Sequence, residues 1–197
     1  DFSENAVKTA TSIANEMGID ATFVQSDVLK LQENLTGEYD IVYSTYGVLC
    51  WLSDLKPWAE NIARFLKKGG TFFLAESHPI RGVVNPSLPS PIFANYFAKE
   101  PSLETCDGTY AVSTKLKNKV AYEWQHTLSE IFMSLINAGL KIVYFEEFPF
   151  DFYCSCEGME KHGDWWWQKG KVENIPRMFC LKATHEQHRT AKAKQAQ

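Results

Sequence analysis

The sequence predicts a single α/β domain built on a mainly parallel sheet. Two observations carry this: helical patterns alternate with short strands through the first half of the chain, and the apolar run at 41–43, within a strand expected over 40–45, suits a buried parallel strand. The 197-residue length adds that one domain is enough, since domains typically run about 100–200 residues.

The first helix is expected over residues 3–17. Ser3 can cap it, and Val7, Ala10, Ile13, Ala14 and Met17 fall on one face before Gly18 ends it. Residues 21–27 read as a short strand, and 40–45 as the next. A second helix over 54–66 turns Leu55, Trp58, Ile62, Phe65 and Leu66 inward, with Pro57 tolerated in its first turn. Residues 67–70 (KKGG) close it with cations at the negative helix end, and 71–77 return as a strand. From residue 78 to about 120 regularity fails, because five prolines break any long helix. A connection this long suits a functional lid, and Phe93, Tyr96, Phe97 and Tyr110 give it something to pack with. Thr127 and Glu130 have capping-box spacing. The helix they open carries Leu128, Ile131, Phe132, Leu135 and Ile136 inward and stops at Gly139. Strands at 140–148 and 176–183 follow and are expected to pair antiparallel at one edge. The domain therefore covers residues 1–184, with a disordered tail over 185–197.

Composition narrows the function. A net charge of −4 argues against a nucleic-acid surface, which needs clustered Lys and Arg. No apolar run approaches the length of about 20 residues that a membrane span needs, and no secretory leader opens the chain. Five scattered cysteines suit a reducing cytoplasm better than a disulfide framework. Cys154 and Cys156 are close, but no second Cys/His pair stands at the spacing of a structural zinc site, so no metal is expected.

The order of the motifs then becomes informative. Asp1 opens the first helix, Ser26, Asp27 and Val28 end a strand, and YDIVYS at 39–44 is followed by GVLCWL at 47–52. FLKKGGTF at 65–72, ESHP at 76–79, YEWQHTLSE at 122–130 and DWW at 164–166 complete the set. This ordered set resembles class I S-adenosylmethionine-dependent methyltransferases, in particular a group of small methyltransferases with poorly defined substrates. The resemblance implies a Rossmann-like sheet, mostly parallel with an antiparallel edge strand, and methyl transfer from S-adenosylmethionine to a small-molecule acceptor. A homodimer is compatible with it. A non-catalytic methyltransferase-like partner module is the alternative reading.

The resemblance also assigns roles. Asp1, with Phe2 beside it, ends the family's second strand, where a carboxylate accepts the ribose hydroxyls. Asp27 accepts from the adenine amino group while the Val28 N–H meets a ring nitrogen. Ser44, Thr45 and Tyr46 run under the methionine part of the cofactor, with Tyr46 or Trp51 facing the sulfonium. His78 and His126 are the candidate catalytic bases. Trp51, Glu76, Tyr122 and Trp166 are the candidate acceptor-binding residues. The family's Gly-x-Gly loop does not occur in the sequence. N-terminal strands are therefore expected to be missing, and the chain by itself is expected to bind the cofactor weakly and to be inactive.

Overall fold

The computed structural model describes residues 1–85, 92, 94–105, 119–170 and 174–185. Its central sheet has four strands in the order β1 (Tyr39–Thr45), β2 (Leu66–Ser77), β9 (Met178–His185), β5 (Leu140–Phe148). β1 and β2 pair in parallel, and β9 runs antiparallel to both β2 and β5. Three strands thus point one way, and the reversed strand sits one place in from the β5 edge. This is a mixed sheet of the kind the sequence predicted.

Three helices accompany it: α1 (Glu4–Met17), α2 (Leu55–Phe65) and α3 (Leu128–Asn137). Their ends follow from their caps. The Ser3 hydroxyl accepts the Ala6 N–H, Asp54 accepts that of Lys56, and Thr127 and Glu130 form the reciprocal capping box. α2 and α3 share one face of the sheet. There Trp58, Ile62, Ile131 and Leu135 close over Phe72, Leu74, Phe179 and Leu181 in one core. Each of these large side chains contributes about 1.5–3 kcal/mol on leaving water.

Several expectations need correction. Side chains alternate along β1, so Val42 meets the core beneath α2 and α3 while Ile41 and Tyr43 point away, 67% and 71% exposed. β1 is therefore an edge strand, not a buried one: among the described residues it pairs only with β2. Residues 21–27 are extended but form no sheet strand. They pair only briefly with the N-terminus, where the Ser26 N–H donates to the Asp1 carbonyl (2.9 Å) and the Asp1 amine to the Val24 carbonyl (3.2 Å). Residues 67–70 do not close α2 but enter β2, with a register shift opposite Tyr39–Ile41. A Cβ on Gly70 would stand 2.9 Å from the carbonyl oxygens of both Asp40 and Lys67, so the close approach of these backbones requires glycine. Ile13, Met17 and Ile136 are exposed rather than inward, leaving Ala14, Ile131 and Leu135 as the buried positions of their helices.

The stretch expected to be irregular carries a short 3-10 turn (Pro79–Gly82) and a hairpin of β3 (Ser102–Thr105) with β4 (Val120–Glu123). Phe93, Tyr110 and the tail from 186 onward lie outside the described residues. After β5 comes a small sheet that the sequence reading missed, ordered β6 (Phe150–Asp151), β8 (Trp165–Gln168), β7 (Met159–His162). Among the described residues no helix is long and apolar enough to cross a membrane.

Candidate functional site

β1, β2 and β5 run in one direction, so Thr45, Ser77 and Phe148 end along a single edge of the sheet. In open α/β folds this carboxyl edge is where ligands bind. Directly after β1 the chain turns sharply. Tyr46 is the one non-glycine residue with positive φ (58°) among those described, and Gly47 follows at 87°. Such a backbone costs about 1–3 kcal/mol and persists only where its surroundings fix it.

Glu76 supplies that fixation. Its Oε1 accepts the N–H groups of Gly47 (2.6 Å) and Ser77 (2.7 Å), and Oε2 those of Val48 (2.7 Å) and Leu49 (3.2 Å). The Tyr46 N–H is taken by the Ala75 carbonyl at 2.8 Å, and the Tyr46 ring lies 4.5 Å from that of Phe152. Glu76 is buried. Four backbone donors share its two oxygens, so its carboxylate is committed to holding the turn.

The turn leads into Leu49–Trp51, a 3-10 segment that leaves the Trp51 ring half exposed. The segment after β4 is stitched to it: the Trp124 N–H donates to the Cys50 carbonyl at 2.8 Å, and His126 Nε2 lies 2.7 Å from the Leu52 carbonyl. A carbonyl can only accept, so Nε2 carries the proton and Nδ1 of neutral His126 is left as an acceptor. The exposed ring of Tyr122 stands two residues before Trp124. Trp51, Tyr122 and His126 are thereby brought to one region. Burial, with Glu123 and Glu76 nearby, pushes the Cys50 thiol beside them up to about 12, which disfavours the thiolate there.

His78 is placed differently. It is 6% exposed, its Nδ1 accepts the Ile80 N–H (3.1 Å), and its Nε2 lies 2.8 Å from Glu147 Oε1. Burial holds its pKa below the ordinary value, against the opposing pull of Glu147. This geometry makes it a turn-capping residue that joins β2 to β5.

Asp1 and Asp27 end up on neighbouring extended segments through the Ser26–Asp1 pairing. Asp1 Oδ1 accepts the Ser3 N–H (2.7 Å), and Asp27 Oδ1 accepts that of Leu29 (2.9 Å), so each also acts as a turn former. Phe2 and Val28 are exposed beside them, whereas Ser44 and Thr45 are half-buried in β1. Trp166 stands opposite Asp151 in the small sheet, away from Trp51 in sequence and on a different element.

A buried ion cluster went unpredicted. Asp151, fully buried, has Oδ2 contacted by Arg177 Nε (3.1 Å) and Nη2 (2.9 Å) and by the Ser155 hydroxyl (2.8 Å). Its Oδ1 lies 3.2 Å from Arg81 Nη1, and Arg81 also donates to Ser77 Oγ (2.5 Å) and covers the Tyr153 ring. The available signal was a lone charge inside an apolar run: Asp151 between Phe150 and Phe152, and Arg177 between Pro176 and Met178.

Residues 1–70 match the family model described as a methyltransferase domain. None of the curated proteins matches the sequence. Among solved structures, an S-adenosylmethionine-dependent methyltransferase from Clostridium acetobutylicum is 14% identical with a TM-score of 0.61, covering 95% of this chain and 74% of that one. One from Mesorhizobium loti is 16% identical (TM-score 0.51; 93% and 78% covered), and one from Methanosarcina mazei is 14% identical (TM-score 0.52; 94% and 80% covered). The fold is thus the one these solved S-adenosylmethionine-dependent methyltransferases share, and the first third of the chain is similar to the methyltransferase-domain model. The segment matched by the family model reaches from α1 through β1 and α2 into β2, ending at Gly70.

Proposed function

We propose that this protein transfers a methyl group from S-adenosylmethionine to a small-molecule acceptor at the carboxyl edge of the β1–β2 pair. The observation that carries the reading is the strained Tyr46–Gly47 turn clamped by Glu76 at that edge. A backbone held out of its ordinary range at a strand end is what a site built for close approach of a ligand requires.

The residues present fit the cofactor. Asp1 and Asp27 each use one oxygen on a local N–H, and an ionised carboxylate offers about four acceptor positions. Each can therefore also take a ligand donor: Asp1 the ribose hydroxyls, with Phe2 flanking, and Asp27 the adenine amino group, with the Val28 N–H on a ring nitrogen. Ser44, Thr45 and Tyr46 border the methionine portion. When bound, S-adenosylmethionine supplies an electrophilic methyl on a sulfonium whose departure as a neutral thioether drives the step. The chain's part is positioning, worth several kcal/mol. Trp51 and Tyr122 hold the acceptor, and His126 Nδ1 takes a proton from it where the nucleophile arrives protonated. His78 orients the turn after β2, and the β3–β4 hairpin caps the acceptor side.

Isothermal titration of the full-length natural protein with S-adenosylmethionine tests this, because a chain without a Gly-x-Gly loop is expected to bind the cofactor weakly. Sub-millimolar binding that falls about tenfold in Asp27→Ala is expected, a loss of about 1.4 kcal/mol. Undiminished binding by the variant would remove Asp27, and no binding by the parent would sink the reading.

A further inference from the structure

The small sheet β6–β8–β7 holds a cleft that the methyl-transfer reading does not use. Alternation along β8 puts Trp165 and Trp167 on one face and Trp166 on the other. On the first face the rings form a ladder: Phe148 lies 5.2 Å from Phe150, and Phe150 lies 4.7 Å from Trp165 and 5.3 Å from Trp167. The two indoles and Pro149 line a cleft of about 540 Å³. That is within the range of about 300–1,000 Å³ typical of small-molecule sites. His162, Gln168, Lys169 and Asn174 complete the wall among the described residues. No carboxylate lines it among the described residues, but Glu160, opposite Trp167 and on the same face, lies 3.7 Å from Lys169 Nζ and 3.5 Å from His162 Nε2. These exposed pairs are worth about 0–1 kcal/mol and leave Lys169 able to meet a ligand anion. An aromatic wall with an ammonium beside it selects by shape and by charge. The ladder accepts one more flat ring at ordinary stacking distance, and Lys169 offers donors and a positive charge to an anion at its edge.

We propose that this cleft binds a flat aromatic small molecule bearing a carboxylate, stacked on Trp165 and Trp167 with its anionic group toward Lys169. The proposal stands independently of the methyl-transfer site, because it rests on a different sheet and different residues. Trp166, the indole that the sequence resemblance had singled out for substrate, is excluded from this site by the pleat.

The test is isothermal titration of the full chain with 2-naphthoate. Saturable sub-millimolar binding is expected. Trp165→Leu and Trp167→Leu should each weaken it about tenfold, the size of effect that loss of one stacked aromatic produces, while Trp166→Leu stays within about twofold of the parent. Neutral naphthalene-2-carboxamide should bind more weakly than 2-naphthoate, with the difference closing in Lys169→Gln. Indole N–H resonances of the unmodified protein keep the test decisive if a variant fails to fold: those of Trp165 and Trp167 should shift on titration and that of Trp166 should not. Absence of saturable binding, or equal loss in Trp166→Leu with equal shifts, overturns the site. Equal affinity for the carboxamide overturns its anionic half. S-adenosylmethionine binding is read in a separate titration, so failure here leaves the methyl-transfer reading standing.

Discussion

Glu76 Oε1 accepts the Gly47 N–H at 2.6 Å, tying the end of β2 to the turn that leaves β1. Three further backbone donors share the carboxylate. Removing the side chain strands them in a buried place, at about 1–3 kcal/mol for each group left unsatisfied. Glu76→Ala should therefore lose about 3 kcal/mol or more in urea unfolding, and Glu76→Gln distinctly less because the amide oxygen still accepts. A midpoint unchanged in Glu76→Ala would show that the turn is held by something else.

The Asp151–Arg177 pair makes a second prediction. Breaking a buried pair from one side leaves an uncompensated charge and costs about 3–5 kcal/mol, whereas replacing both partners with apolar groups is often far milder. Arg177→Met should be severely destabilised, and the double variant Asp151→Leu with Arg177→Met should recover part of the loss. Thermal melts of the two single variants and the double give the coupling. Strict additivity would mean that Arg81 and Ser155 already satisfy Asp151.

A third concerns pH. Burial keeps the folded-state pKa of His78 below its ordinary value of 6.5. The unfolded chain therefore binds more protons as pH falls through that value, and stability is lost on the acid side. The contribution is complete above about 6.5 and declines below it until the depressed folded pKa is reached. His78→Asn keeps an acceptor for the Ile80 N–H but does not titrate, so it should flatten the dependence of unfolding free energy on pH between about 5.5 and 7. An equally steep slope in the variant would assign that dependence to other groups.

Thiol reactivity supplies a fourth. Burial and neighbouring carboxylates push Cys50 up to about 12, and burial, with Glu146, also raises Cys180. Cys154 is exposed. Alkylation with iodoacetamide near pH 8, mapped by mass spectrometry, should label Cys154 well before Cys50 and Cys180. Early labelling of Cys50 would mean that the 47–52 turn opens in solution.

What the sequence made legible was local. Ser3 and Thr127 marked helix starts by their side-chain chemistry, and α2, α3 and β5 fell where periodicity put them. What it hid was pairing. Residues 21–27 have strand composition, yet a strand exists only where a partner ladder meets it, and theirs extends to two hydrogen bonds with residue 1. The Trp165–Trp167 run gave no sign of which indole faces where until β8 had neighbours. At the site, the acidic and aromatic residues named from the resemblance were easy to find. Their division of labour was not: nothing in ESHP says that Glu76 would spend both oxygens on backbone, or that His78 would be buried against Glu147.

The reversed strand β9 has a consequence for how the protein comes into being. Among the described residues β2 and β5 touch the same sheet only through β9, which follows both of them in the chain. Until residues 178–185 leave the ribosome, the two sections of sheet cannot join, and an apolar strand edge stays open on each. Domains otherwise tend to fold as they emerge; here closure of the sheet waits for β9. A nascent chain arrested before Met178 should need a chaperone, and release of the following eight residues should end that need.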